Sequence, residues 1–205
     1  MTAAPFEVLT VCTGNVCRSP FAATLLRGEL GRVAAGWPQV GTLTVRSAGT
    51  HALVGETMTE PMQALAKTVD APDLLHVAQQ LKPEMLESAG LVLALSRAHR
   101  SAIARMLPRA SRTTFALVEF GRLLNELAQT AEFRLDVQAN AADSMRSLVS
   151  AVATRRGFGT PPEDPSVDDV VDPYRRSKER YEESARQIAE AVDTITSSLS
   201  KMFHA

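Results

Sequence analysis

The stretch VLTVCTGNVCRSP, Val8 to Pro20, sets a short apolar run against two cysteines, a glycine, an asparagine and an arginine, and closes on a Ser-Pro step. Glu7 to Val11 is β-prone and ends at Cys12. Ser19-Pro20, followed by Phe21, Leu25, Leu26 and Leu30, reads as an N-cap, a proline at the first helical position and an apolar stripe. The string is therefore a strand, a loop and a helix in immediate succession.

Working outward, Leu43 to Ala48 reads as a second strand and Met58 to Thr68 as a helix. Pro83 to Glu87 reads as a helical turn before Leu91 to Leu95, a continuous apolar run typical of a buried parallel strand. A helix over His99 to Met106, a fourth strand over Thr113 to Ala116 and a helix over Val118 to Leu127 continue the alternation. That alternation is the α/β pattern, and right-handed crossovers make it a parallel sheet with helices on both faces. Further on, Ala142, Met145, Leu148, Val149 and Val152 suit an amphipathic helix over about Ala139 to Arg155, closed by Gly157. Gly159 to Asp169, rich in Pro, Asp and Glu, reads as an exposed acidic loop. Lys178 to Phe203, with Tyr181, Ala185, Ile188, Val192, Ile195 and Leu199 near helical spacing, closes the chain as a long amphipathic helix. No internal repeat is visible, and the expectation is one domain over 1–205.

The totals narrow the function. With 205 residues, 45% of them hydrophobic, the chain can bury a substantial core. A formal net charge of −1 gives no field for phosphate backbones or anionic lipid, so nucleic-acid and membrane partners are not expected. The start lacks a basic region followed by an apolar stretch, and no run approaches membrane-spanning length, so a soluble cytoplasmic protein is expected. Two cysteines and four dispersed histidines make neither a disulfide scaffold nor a zinc knuckle, and no metal or other cofactor is expected.

An anion must then be held by a local arrangement, and the opening string has the means. In an open parallel sheet, ligands sit at the carboxyl ends of the strands, where a loop entering a helix offers unpaired N–H groups. Thr13, Gly14, Asn15, Val16, Cys17, Arg18 and Ser19 occupy that position as the candidate phosphate-binding residues. Gly14 permits close approach, Asn15 tolerates the left-handed conformation, and the Arg18 fork suits paired phosphate oxygens. Cys12 lies at the floor of such a cradle, where amides, helix dipole and guanidinium would ionise its thiol well below the free value of about 8.5. The Cys-x5-Arg spacing alone is a weak motif; the full string between a strand and a helix is far more specific.

The string VCTGNVCRSP (Val11 to Pro20) resembles the phosphate loop of the low-molecular-weight protein tyrosine phosphatases nearly residue for residue. Val171-Asp172-Pro173-Tyr174 resembles that family's Asp-Pro-Tyr/Phe motif; taken alone, the same residues are common turn chemistry. Arg46 to Thr50, Val54-Gly55-Glu56, His76 to Glu84 and Leu91 to His99 resemble family segments in the right order. The resemblance implies a flavodoxin-like, open, twisted, four-stranded parallel sheet. It also implies a phosphomonoester hydrolase, working through phosphocysteine on phosphotyrosine in proteins or on small aryl phosphates. Cys12 is then the nucleophile, Arg18 and the loop amides hold the phosphoryl oxygens, and Asp172 is the general acid. Ser19 would steady the returning thiolate, while Ser47 and His76 would hold Asn15. Without the resemblance those last two read as a strand-end serine and a surface histidine. Cys17 is either a small apolar loop residue or, as in relatives with the same pair, a resolving thiol.

The family's aromatic residue after Ser-Ala-Gly-Thr is missing, since His51-Ala52-Leu53-Val54 stands there, which leaves Tyr174 and Leu53 as the expected pocket walls. Ser96 stands where the family usually carries an aspartate, and Ala23 where it often carries an acidic residue. The stretch from about 125 to 170 is longer than in minimal members and reads as an insertion, either decoration beside the last helix or a lid. Two other readings share the loop: an arsenate reductase using a low-molecular-weight thiol, and a phosphate-binding module without turnover. Ser-Pro after Arg18 and the presence of Asp172 favour the phosphatase. The sequence does not fix the oligomeric state.

Overall fold

A computed structural model describes residues 5–34, 43–68, 75–130, 133–136, 140–158 and 162–204. Its strands are β1 (Phe6–Cys12), β2 (Leu43–Gly49), β3 (Ala89–Ala94) and β4 (Thr114–Ala116), and its helices are α1 (Arg18–Ala34), α2 (Glu60–Thr68), α3 (Pro83–Ser88), α4 (Arg97–Met106), α5 (Leu117–Ala128), α6 (Ala141–Arg155) and α7 (Lys178–His204). The strands form one parallel sheet in the order β2-β1-β3-β4. This is the four-stranded flavodoxin-like sheet that the alternation and the resemblance lead one to expect. The order reverses at β1, which pairs with β2 on one side and β3 on the other. The carboxyl end of β1 is thus the switch point where an open sheet binds ligands.

The two-residue period of the strands divides the core. Phe6, Val8 and Cys12 of β1, with Leu91 and Leu93 of β3, point into the larger cluster beneath α1, α5, α6 and α7. Leu9, Val11, Val92 and Ala94 point the other way, against Met85 and Leu86 of α3 and Ile103 of α4. The central strand β3 is buried on both faces along nearly its whole length, which explains why Leu91 to Leu95 reads as an unbroken apolar run, whereas the edge strand β2 exposes Thr44 and Arg46.

Several boundaries move, each for a local reason. Helix α1 begins at Arg18, so Ser19 and Pro20 lie inside the first turn instead of capping it. Pro20 costs nothing there because first-turn N–H groups have no helical acceptor, and the Ser19 hydroxyl is engaged with Cys12 and Asn15. Helix α2 begins at Glu60 and not at Met58: Thr59 stands just before its first turn, its carbonyl accepting from Met62 N and Gln63 N at 2.9 Å each and its N–H donating to the Val16 carbonyl at 2.8 Å. The acidic loop contains one short 3-10 turn, Pro165–Asp168, capped by the Asp164 carboxylate, which accepts from the Ser166 N–H. Residues 159–161 of that loop, and Ala139 of the expected sixth helix, lie outside the described residues.

The stretch 125–170 contributes α6 to the main core, with Met145, Leu148, Val149 and Val152 buried there. Just past its end, Arg156 lies over the Phe115 ring at 4.1 Å, bonds Glu119 Oε1 at 2.8 Å and donates to the Thr114 carbonyl at 2.8 Å. Arg100 donates to both oxygens of the same carboxylate, so Glu119 joins α4, α5 and the end of α6. Burial alone would raise the Glu119 pKa, but the Ala116 N–H and the two guanidiniums hold it below the ordinary carboxylate value. Among the described residues, no helix is long and apolar enough to cross a membrane.

Candidate active site

Residues Thr13 to Cys17 bridge β1 and α1 without helix or strand of their own. The carbonyl of Cys12 accepts from Thr50 N at 2.9 Å, that of Thr13 from His51 N at 3.0 Å, and that of Gly14 from Leu53 N at 3.0 Å. The carbonyl of Asn15 accepts from His76 Nε2 at 2.6 Å, that of Val16 from Thr59 N at 2.8 Å, and that of Cys17 from Phe21 N at 3.2 Å. In a trans peptide the carbonyl and the next N–H point in opposite directions. Tying each carbonyl to the surrounding shell therefore turns the N–H groups from Thr13 to Arg18 inward, and none of them donates to a protein acceptor among the described residues. Unpaired N–H groups converging ahead of a helix form an anion-binding nest.

The fold of this loop depends on Asn15, whose φ is 56°, in the left-handed region. Its side chain is wholly buried and satisfied: Nδ2 donates to Ser19 Oγ and to Ser47 Oγ at 2.9 Å each, and Oδ1 accepts from Gln79 N at 2.9 Å. Ser47 and His76 thus both reach Asn15, the first at its side chain and the second at its carbonyl. His76 is held below the usual histidine pKa, by burial first, against the opposing effect of that carbonyl. Gly14 has an ordinary φ, and a Cβ there would meet Val16 and Leu53 at van der Waals distance. The glycine that the loop demands is Gly49, where a Cβ would lie 2.4 Å from the Thr13 carbonyl oxygen.

Cys12 is buried at the end of β1, and the Ser19 hydroxyl lies 2.9 Å from its sulfur. Arg18 is buried as well; its Nη1 donates to the Val170 carbonyl at 3.2 Å and its Nη2 meets Asp172 Oδ2 at 2.8 Å. The Asp172 side chain is 55% exposed, and its Oδ1 accepts from Tyr174 N at 3.2 Å in a local turn. A pocket of about 150 Å³ joins Cys12, Arg18, Asp172, Tyr174, Leu53 and His51. Sequence-distant candidates meet at this one mouth. A larger hollow of about 840 Å³ lies toward the opposite end of β3, against α6, and contains none of them.

Cys17 is a free, buried thiol with Thr59 Oγ1 at 3.4 Å and the Tyr181 hydroxyl at 4.0 Å. Burial raises its pKa, more than those two hydroxyls lower it.

The sequence reading passed over His99. It is buried in α4 with Nε2 2.9 Å from Thr13 Oγ1 and Nδ1 2.8 Å from Ser96 Oγ. Burial, and then the Arg18 charge, lower its pKa to about 4, so the ring is neutral near pH 7, one nitrogen donating and the other accepting. The available signal was Ser96, a good N-cap three residues before the histidine, at the very position where the family's usual aspartate is replaced. Thr59, Gln79 and Arg175, whose guanidinium lies 5.1 Å from the centre of the Tyr174 ring, carry no sequence signal of a role here.

The chain matches the family model "Low molecular weight phosphotyrosine protein phosphatase" over residues 7–130. It is 30% identical over 152 residues to a protein-arginine-phosphatase of Geobacillus stearothermophilus, covering 74% of this chain and 96% of that one. It is 34% identical over 111 residues to the low molecular weight protein-tyrosine-phosphatase Ptp of Acinetobacter johnsonii, covering 54% and 71%. The solved YwlE arginine phosphatase from Geobacillus stearothermophilus superposes with a TM-score of 0.63 at 24% identity, covering 95% of this chain and 93% of that one, a likeness of fold. The loop, its shell and these matches agree: the chain belongs to the low molecular weight phosphotyrosine protein phosphatase family and is a cysteine-based phosphatase.

Proposed function

We propose that this chain hydrolyses phosphotyrosine on proteins through a phosphocysteine at Cys12. The observation that carries the proposal is the run of N–H groups from Thr13 to Arg18, without protein acceptors among the described residues, that follows Cys12, with the Ser19 hydroxyl 2.9 Å from the Cys12 sulfur. Those donors and the Arg18 fork match the equatorial oxygens of a phosphoryl group in transfer. Cys12 Sγ attacks phosphorus and the S–P bond forms as the P–O bond to the leaving group breaks. Asp172, at the mouth of the pocket, gives its proton to the departing ester oxygen. Water then attacks phosphorus, its proton passes to Asp172, and the S–P bond breaks to release inorganic phosphate while Ser19 donates to the returning sulfur. Arg18 pairs with Asp172 at 2.8 Å, so an arriving phosphate competes for the guanidinium and frees the acid to face the ester oxygen. Each step is carried by side chains and backbone of this chain. A cytoplasmic, bacterial setting fits the bacterial source of the relatives.

A second substrate reading, phosphoarginine, is favoured by the protein-arginine-phosphatase that aligns over 96% of its length. The pocket has a single aromatic wall, Tyr174, with Leu53 facing it, and so does not by itself demand a phenyl ring. Rapid-quench mass spectrometry with an aryl phosphate should find a phosphoryl adduct on Cys12 and no turnover by Cys12→Ser; steady turnover without adduct overturns the mechanism. Parallel rates on phosphotyrosine and phosphoarginine peptides decide the substrate.

A further inference from the structure

The acid's own neighbours are sparse, yet the residues just before it are firmly held. Val170 N donates to the Leu95 carbonyl at 3.1 Å, and the Val170 carbonyl accepts from Arg18 Nη1 at 3.2 Å. Asp169 Oδ1 accepts from the Arg97 N–H at 2.6 Å, while Oδ2 accepts from Arg97 Nε at 3.1 Å and Nη2 at 2.8 Å. One carboxylate thereby caps α4 and grips the guanidinium of its first residue. The other side of the same corner reaches the phosphate loop. Leu95 N donates to the Val11 carbonyl at 2.8 Å, and His99 lies 2.9 Å from Thr13. The start of α4 is therefore fixed to the residues flanking the nucleophile on one side and to the residues preceding the acid on the other.

We propose that Arg97 and Asp169 are positioning residues, a clamp that sets Asp172 at the height of the leaving-group oxygen by fixing the approach of its loop to the phosphate loop. The proposal rests on the reading of Asp172 as the general acid. Neither residue lines the pocket, so their contribution is indirect, through the loop that carries Asp172. Asp172 itself pairs with Arg18 at 2.8 Å, and Val171 N donates to Gln187 Oε1 at 2.9 Å, but the Asp172 side chain is 55% exposed and its turn bond to Tyr174 moves with the loop, so its height depends on how the loop is held. Two half-buried partners in contact with solvent make this pair a modest source of stability. Its consequence is geometric, and a proton donor must lie within hydrogen-bond reach of the oxygen it serves.

The test is a leaving-group comparison on the full chain. Phenyl phosphate needs a proton on its departing oxygen, and dinitrophenyl phosphate does not. Arg97→Ala and Asp169→Ala should each lower kcat/KM, which reports the first transfer and not the hydrolysis common to both substrates, by about 10- to 100-fold on phenyl phosphate and by less than about threefold on dinitrophenyl phosphate. The double variant should be no slower than either single one, because both remove the same contact. Asp169→Asn keeps an acceptor for the Arg97 N–H but loses the charged pair, and should show the same split without loss of the α4 cap. Equal losses on both substrates, or none on either, overturn the clamp. Asp172→Asn serves as reference: if it shows the split and the clamp variants do not, only the clamp falls. If Asp172→Asn shows no split, the acid assignment falls and the clamp with it.

Discussion

The phosphate loop and the acid loop meet at one pocket and are built on opposite plans. From Cys12 to Val16 every carbonyl is tied to the surrounding shell, the Asn15 side chain bonds through both its nitrogen and its oxygen, and Cys12, Asn15, Val16 and Cys17 are buried. From Asp164 to Asp172 the chain is mostly exposed and is held by carboxylate contacts to Arg18, Arg97 and Arg122, by the Gln187 side chain at Val171 N and by single backbone bonds. The Arg122 contact is loose, at 3.5 Å, and burial raises the pKa of its partner Asp168 more than Arg122 lowers it. The difference follows from the two tasks. A nest for a phosphoryl group must be rigid before the substrate arrives, since its electrostatic value depends on dipoles that need not reorganise. A proton donor serves varied leaving groups from outside and needs only the right reach.

The contrast breaks first if the shell of the phosphate loop tolerates crowding. Gly49→Ala places a methyl 2.4 Å from the Thr13 carbonyl oxygen, beside the Thr50 and His51 N–H groups that orient the loop. Displacing that carbonyl should lower kcat/KM by roughly 100-fold on every aryl phosphate, irrespective of leaving group. A rate within a few fold of wild type would mean that the loop yields as readily as the acid segment.

Rigidity around His99 can be read from stability. Unfolded, His99 takes up a proton near pH 6.5, and folded only near 4, so between those values the unfolded chain binds more protons. Stability accordingly falls as pH falls, by about 2 kcal/mol between pH 7 and pH 5 from this group. His76, also depressed, adds in the same direction. Urea midpoints across that range should flatten in His99→Asn and keep only the residual slope of His76. An unchanged slope would show that the ring at Thr13 accepts charge freely.

The smallest effect belongs to the outer wall. Tyr174→Ala keeps the backbone N–H that meets Asp172 and removes one ring together with its stacked Arg175 guanidinium. Losing aryl stacking of about 0.5–1.5 kcal/mol should raise KM for phenyl phosphate roughly two- to tenfold, with kcat for an alkyl phosphate unchanged. A large fall in kcat on the alkyl substrate would make Tyr174 part of the acid's support and narrow the contrast.

Much of this was legible because it is local. The alternation of strands and helices, the Gly-Asn turn before an arginine and the apolar period of α7 each arise from neighbours along the chain, and they set the sheet, the loop and the cysteine at its start. The Asp-Pro-Tyr segment was legible as a turn; only the resemblance gave its aspartate a role. Illegible were the contacts that bind segments far apart in sequence: Gly49 beneath Thr13, Thr59 under Val16, Gln79 on Asn15, His99 on Thr13, and Asp169 on Arg97. Ser19 shows the limit most plainly, since its sequence context reads as a helix cap while the folded chain turns its hydroxyl to the Cys12 sulfur. Sequence by itself determined that a cysteine would stand at the end of a parallel strand, facing the start of a helix. Which way its surrounding peptides point was decided by tertiary structure alone, because a carbonyl's orientation depends on the donor that the fold brings to it.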